Sequence, residues 1–135
     1  MTIQLSTNIR NARLDAIETA TGTSAILKVR SGAAPVNCAA ADSGTVLATA
    51  NLPSDWMTAA SSGSKSKTGT WEDTSADATG TAAHFRIYDS TGTTCHIQGS
   101  VTITGSGGDM TVDSVSFTAG QAFTVTTFIL TDGNA

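Results

Sequence analysis

Aliphatic hydroxyl groups dominate this chain, which carries 24 Thr and 15 Ser among its 135 residues. Thr is branched at Cβ and favours strands, whereas Ser and the 13 Gly favour turns. Only 5% of the residues are aromatic, so we expect a core with few large ring side chains. The low charge content (13%) together with 39% hydrophobic residues differs from the composition of disordered chains. The composition therefore predicts a small β protein, and it argues against a helical bundle and a doubly wound nucleotide-binding fold.

Length and charge narrow the class further. A chain of 135 residues fits one domain with one core. The chain has a net charge of -4 and no cluster of Lys and Arg that could bind a phosphate backbone, so we expect no direct nucleic-acid binding. No apolar run approaches the ~18 residues of a membrane span, and no charged start precedes a hydrophobic segment. We therefore expect no membrane association and take a cytosolic origin as the default.

The first 22 residues differ from the rest and predict an N-terminal helical segment (1–22) ahead of a β domain (23–135). Ser6 and Thr7 can cap a helix, residues 8–20 contain no Gly, Pro or Val, and Gly22 can end it. A helical projection gives a broad apolar arc with three polar residues opposite. The arc contains Leu5, Ile9, Ala12, Leu14, Ala16, Ile17 and Ala20, and the polar residues are Asn11, Asp15 and Glu18.

Two arginines interrupt that arc. The stems of Arg10 and Arg13 can lie along apolar surface while their guanidinium groups reach a partner's carboxylates. The alternative is a surface helix that covers one end of the β core. We take Ile9, Arg10, Arg13, Leu14 and Ile17 as candidate interface residues.

In residues 23–135, short runs typical of strands alternate with turn signals. This pattern predicts an antiparallel β-sandwich of jelly-roll-like type. Residues 84–100 form the clearest hairpin. A three-residue loop over 90–92, with Gly92 in the left-handed region, pairs Ile87 with Cys95 and Phe85 with Ile97. The opposite face, with His84, is predicted to be solvated or to face a partner. Residues 122–131 are predicted to form a central strand covered on both sides.

Two polar features of the β domain remain open. Residues 59–70 predict either a mobile loop or an edge strand guarded by Lys65 and Lys67. Cys38 and Cys95 are expected to be free thiols, and a bridge requires a fold that brings their Cα atoms within ~7 Å.

We find no pattern typical of an enzyme, a metal site or a cofactor site. No carboxylate alternates onto the face of the two histidines, and no Gly-x-Ser-x-Gly elbow is present. Glu72, Asp73 and Asp77 form a weak acidic cluster that fits a solvated loop better than a calcium site. Trp56 follows a turn among polar residues, so it is a candidate interface anchor, or else a lid over the end of the sandwich.

Several runs are similar to small virion proteins of tailed bacteriophages. They are GTAAHFRIYDSTG at 80–92, QGSV at 98–101, MTVD at 110–113, SFTAGQAFTV at 116–125, NIRNARLD at 8–15 and CAAAD at 38–42. The resemblance spans most of the chain, and its motifs specify a hairpin and turns rather than chemistry. It implies a capsid decoration (cement) protein that binds the major capsid protein or other virion proteins.

The same resemblance implies a location in the virion after assembly in the host cytoplasm, and a symmetric homo-oligomer. A tail or head-to-tail connector component is an alternative. A carbohydrate-binding module on a fibre is another, and it would need Trp56, Trp71 or Tyr88 as exposed platforms.

Overall fold

The computed structural model describes residues 2–133 and is built mainly of strands, with 37% strand and 11% helix. The prediction of a mainly-β fold with one N-terminal helix is confirmed. The elements are α1 (Thr7–Thr21), β1 (Ile26–Arg30), β2 (Val46–Asn51), β3 (Ser64–Ser66), β4 (Glu72–Asp73), β5 (Gly80–Thr81), β6 (His84–Tyr88), β7 (Cys95–Ile103), β8 (Met110–Val112), β9 (Ser116–Phe117) and β10 (Phe123–Thr131).

Local signals set both ends of α1, as predicted. The Ser6 side chain accepts a hydrogen bond from the Ile9 amide at 3.3 Å and so caps the first turn. Gly22 adopts φ 90° at the other end, where its amide donates to the Glu18 carbonyl at 2.9 Å. No helix within residues 2–133 is long and apolar enough to cross a membrane.

Eight strands form one curled sheet in the order β2-β1-β6-β7-β8-β10-β3, with β4 pairing on β10. Strands β5 and β9 form a separate pair. All pairs are antiparallel except β7 with β8, which run parallel. The sandwich-like curl places the apolar side chains of distant strands in one core.

A chain of aromatic rings runs through this core. Trp56 and Trp71 lie 5.9 Å apart between ring centroids, Trp71 and Phe128 lie 5.2 Å apart, and Phe128 meets the edge of Phe85 at 5.6 Å. Such tilted and edge-on contacts stabilise more than the buried area alone. The scarce aromatic residues thus supply the bulk that the many small residues lack.

The predicted hairpin register is wrong by one position beside the loop and by two positions beyond it. Tyr88, not Ile87, pairs with Cys95, and after a bulge Ile87 pairs with Ile97 and Phe85 with Gly99. The loop is longer than predicted because the Asp89 side chain accepts hydrogen bonds from the amide and hydroxyl of Thr91, which forms an Asx-type turn. Gly92 does adopt the predicted left-handed conformation, at φ 72°.

Strand β10 is central, as predicted, but only one of its faces is covered. It pairs with β3, β4 and β8. A register shift between Val125 and Thr127 brings Phe128 onto the same buried side as Phe123 and Val125. Thr124 and other residues of the opposite face are exposed, which corrects the expectation of a strand buried on both sides.

Candidate interaction surface

Helix α1 docks onto the β domain through its polar face. Three backbone amides of segment 57–63 donate to side chains of one helical row: Met57 to Glu18 at 3.1 Å, Ala60 to Asp15 and Gly63 to Asn11, each at 2.9 Å. The sequence placed this row opposite the apolar arc, on the side expected to face water. The structure corrects that orientation, because these side chains satisfy backbone donors that would otherwise be partly buried without partners.

Lys65 completes this attachment. Its side chain is only 2% exposed, and its ammonium group donates to Asp15 and Glu18 at 2.8 Å each and to the Thr58 carbonyl at 2.7 Å. Burial alone would lower the pKa of Lys65, but hydrogen bonds and ion pairs with the two carboxylates outweigh it and raise the pKa above its usual value. Strand β3 lies at the edge of the sheet, as one of the two sequence alternatives has it, but Lys65 is a buried anchor for the helix and not a solvent-facing guard.

Both helix arginines contact this chain's own C-terminal segment. Arg10 donates to the Asp132 carbonyl at 3.0 Å, and the Arg13 Nε lies 3.2 Å from the Asp132 carboxylate. The Arg13 side chain is nevertheless 59% exposed. The carboxylate expected from a partner is thus supplied within the molecule.

Trp56 does not anchor an interface in this structure. Its side chain is fully buried, and its indole nitrogen donates to the Gly22 carbonyl at 3.0 Å. Trp56 joins the end of α1 to the aromatic core. This role is closer to the alternative prediction, a lid over the end of the sandwich. The local turn context suggested exposure, but the helix covers this site from another part of the chain.

With its polar row turned inward, α1 presents part of its apolar arc to the outside, although Leu14 of that arc is buried. Ile9 is 51% exposed, and Ala12, Ala16 and Ala20 are also exposed. Ile3, just before the helix, is 85% exposed. We refer to Ile9, Ala12, Ala16 and Ala20 as the outer face of α1.

A groove runs beside this face, between α1 and strands β7 and β10. It consists of two cavities that share Ile17, of about 420 and 450 Å³. The first is lined by Arg13, Leu14, Ala16, Ile17, Thr131 and Asp132, and the second by Ile17, Asn37, Cys38, His96, Ile97, Gln98 and Leu130. We call this the helix groove.

The five predicted interface residues of α1 thus separate into three groups. Arg13, Leu14 and Ile17 come together in the helix groove, although Leu14 itself is only 3% exposed. Ile9 lies on the outer face, and Arg10 points to the C-terminal segment. Sequence reasoning missed the groove residues of β7 and β10, because an apolar strand residue gives no local sign that it borders a groove.

A second buried polar cluster fixes loop 31–44, which joins β1 to β2. Arg86 is 1% exposed and donates to the carbonyls of Asn37, Cys38 and Ala40 and to the Asp42 carboxylate. A guanidinium group suits this role because its donors form a rigid planar fork. The loop therefore covers the sheet face that was predicted to be open.

Asp42 is the acidic centre of that cluster. It accepts from Arg30 and from the Tyr88 hydroxyl at 2.7 Å each. Burial alone would raise the pKa of Asp42, but these hydrogen bonds and the charges of the two arginines hold it below its usual value. Desolvation and the bond to Asp42 also raise the pKa of Tyr88 to about 12.

Two residues of the predicted acidic cluster have structural partners, and one of them, Asp73, lies in β4 rather than in a loop. The Thr49 amide donates to Asp73 and the Thr49 hydroxyl donates to Asp77, both at 2.8 Å. These contacts close the outer edge of β2. Within residues 2–133, no three His, Cys, Asp or Glu side chains are grouped so that they could hold a metal ion.

A scan against protein-family models, a search of the curated proteins and a search of the solved structures each found no match. The functional assignment therefore depends on the geometry of the described residues and on the resemblance of the sequence runs.

Proposed function

We propose that this chain is a structural protein of a tailed-bacteriophage virion, a capsid decoration protein that binds the head exterior and stabilises it. The observation that carries the proposal is the outer face of α1. An exposed isoleucine and three exposed alanines follow one another there, beside an apolar groove. A row of exposed apolar side chains next to a groove is typical of interaction surfaces.

The two buried polar clusters favour a protein that assembles as a rigid unit. Lys65 holds α1 to the sheet and Arg86 holds loop 31–44, so the described ion pairs mostly serve the fold itself. A rigid surface loses little conformational entropy on binding. A capsid offers the same site many times, so an oligomer of this chain gains avidity from modest contacts at each copy.

The distribution of aromatic side chains argues against sugar binding. Both Trp, the single Tyr and all four Phe are buried. No aromatic ring is therefore exposed to stack on a sugar, and Trp56, Trp71 and Tyr88 are not available as platforms. Of the alternatives, a tail or connector component remains compatible with the same exposed surface.

A capsid-binding assay tests the proposal. Particles of the phage that encodes the chain, prepared without this protein, are titrated with wild-type protein and with Ile9→Glu. We expect Ile9→Glu to weaken binding at least about tenfold, because a charge replaces the one large apolar side chain of the outer face. Ile129→Glu is the matched control, since Ile129 is 53% exposed on strand β10, away from the outer face of α1, and it should bind like the wild type.

Two results would contradict the proposal. If wild-type protein does not bind these heads, the decoration role is wrong. If both variants bind equally well, the outer face of α1 is not the contact. Mass spectrometry of complete particles separates the alternative: a copy number of a few per virion indicates a tail or connector component.

A further inference from the structure

The fold brings the two cysteines together from distant parts of the chain. Cys38 lies in loop 31–44 and Cys95 begins β7. Both line one cavity of about 600 Å³ with Asp42, Arg86 and Tyr88. The two thiols are free and partly exposed, and they are close enough for Cys38 to affect the pKa of Cys95.

Backbone and side-chain contacts hold both cysteines in place, and the Cys95 sulfur also donates to the Ile97 carbonyl at 3.4 Å. The Cys38 carbonyl accepts from Arg86 at 2.8 Å, and the Pro35 carbonyl accepts from Gln98 at 2.7 Å, so β6 and β7 both hold the loop. Cys95 pairs with Tyr88 in the sheet. These contacts hold loop 31–44 beside β7, so the two cysteines stay on the same cavity while a bond between their sulfurs forms.

We infer that Cys38 and Cys95 form a redox-active dithiol that closes to an intramolecular disulfide on reaction with a low-molecular-weight disulfide such as oxidised glutathione. The bond ties loop 31–44 covalently to β7. The inference goes beyond the proposed virion role and is independent of it, since both thiols belong to one chain.

The reaction balances in two exchanges. The thiolate of one cysteine attacks a sulfur of oxidised glutathione, forms a mixed disulfide and releases one glutathione thiolate. The thiolate of the other cysteine then attacks the protein sulfur of that mixed disulfide and releases the second glutathione. The two protein thiols lose two electrons and two protons, and the oxidant is reduced to two glutathione molecules.

The surroundings make this exchange slow at neutral pH. Burial, and then the neighbouring Cys38 thiol, raise the pKa of Cys95 to about 11, although Arg86 opposes this rise. Little Cys95 is therefore present as the reactive thiolate near neutrality. The pair stays reduced in a reducing cytosol and closes on longer exposure to an oxidising medium.

The test uses the folded full-length chain, incubated with oxidised glutathione at neutral pH and at about pH 9, where more thiolate is present. We expect the mass to fall by two hydrogen atoms without a bound glutathione, and closure to be faster at the higher pH. The bridge closes a loop of about 57 residues, so the melting temperature should rise by about 10 °C and return after reduction with dithiothreitol.

Cys38→Ser and Cys95→Ser are the matched controls. Each retains one thiol, so neither should lose two hydrogens nor gain thermal stability. Stable glutathione adducts on both cysteines of the wild type, disulfide-linked dimers, or two free thiols after prolonged treatment at the higher pH would each overturn the inference. These outcomes do not depend on capsid binding, so they leave the proposed function to its own test.

Discussion

Removing Glu18 tests how α1 is attached to the β domain. In Glu18→Ala, the Lys65 ammonium loses one of its two ion-pair partners, and the buried Met57 amide loses its acceptor. A hydrogen bond to a charged group contributes about 1.5–3 kcal/mol, and an orphaned buried donor costs about 1–3 kcal/mol.

Water reduces the expected loss. A cavity of about 620 Å³ adjoins Glu18, Met57 and Lys65, so solvent can replace part of what the carboxylate provides. We therefore expect a loss near the low end, about 2 kcal/mol in the free energy of unfolding. For a chain of this size that corresponds to a fall of about 7 °C in melting temperature.

Urea denaturation followed by circular dichroism measures this effect. The exposed Glu72 provides the control, and Glu72→Ala should stay within about 0.5 kcal/mol of the wild type. In a Lys65→Met background, Glu18→Ala should cost about 1 kcal/mol less, because the ion pair is already absent. A Glu18→Ala variant as stable as the wild type would refute the polar docking of the helix.

Three further predictions address the helix, the acidic residues and the hairpin. Deleting residues 1–20 should leave the strand signal in circular dichroism but lower the melting temperature, whereas complete unfolding would make the helix part of the core. Because the folded-state pKa values of Asp15, Asp42 and Asp109 are lowered, their stabilisation is present above the unfolded value of about 3.9 and is lost as the pH falls through the folded-state values. Acid titration of unfolding should show this decline below about pH 4, and Asp42→Asn should reduce its slope; equal slopes would contradict the assignment. Gly99→Ala should destabilise by about 1–3 kcal/mol in urea denaturation, since its Cβ would lie 2.9 Å from the Phe85 ring, whereas Gly133→Ala meets no atom within 4 Å and should be neutral.

The ends of α1 could be predicted because their signals are local. Ser6 and Gly22 act on backbone groups within one helical turn, so the sequence around them contains the necessary information. The docked face could not be predicted in the same way. Its partner, Lys65, lies in a stretch of Ser and Thr that resembles a solvated loop until β10 pairs with it.

The burial of Arg86 was unpredictable for a related reason. Alternation along β6 separates two faces, but it does not reveal that loop 31–44 folds back over the polar one. A charged residue on a strand usually indicates that this face of the sheet is exposed to solvent. Here the loop supplies three carbonyls and a carboxylate. These acceptors replace the hydrogen bonds that the guanidinium group would otherwise make with water.

For Trp56 and Ile9, the surroundings predicted from the sequence can be compared with those in the structure. Trp56 was expected at an interface and lies in the core, because the end of α1 covers it. Ile9 was expected on the apolar arc and is indeed exposed, because the helix binds the sheet through the opposite side.

Cryo-electron microscopy of the complete particle tests the central claim most directly. The account predicts this chain at repeated symmetric sites on the head exterior, with Ile9 and the outer face of α1 against the capsid. Density for the chain only at the tail, or on the head with the outer face of α1 turned toward solvent, would contradict it.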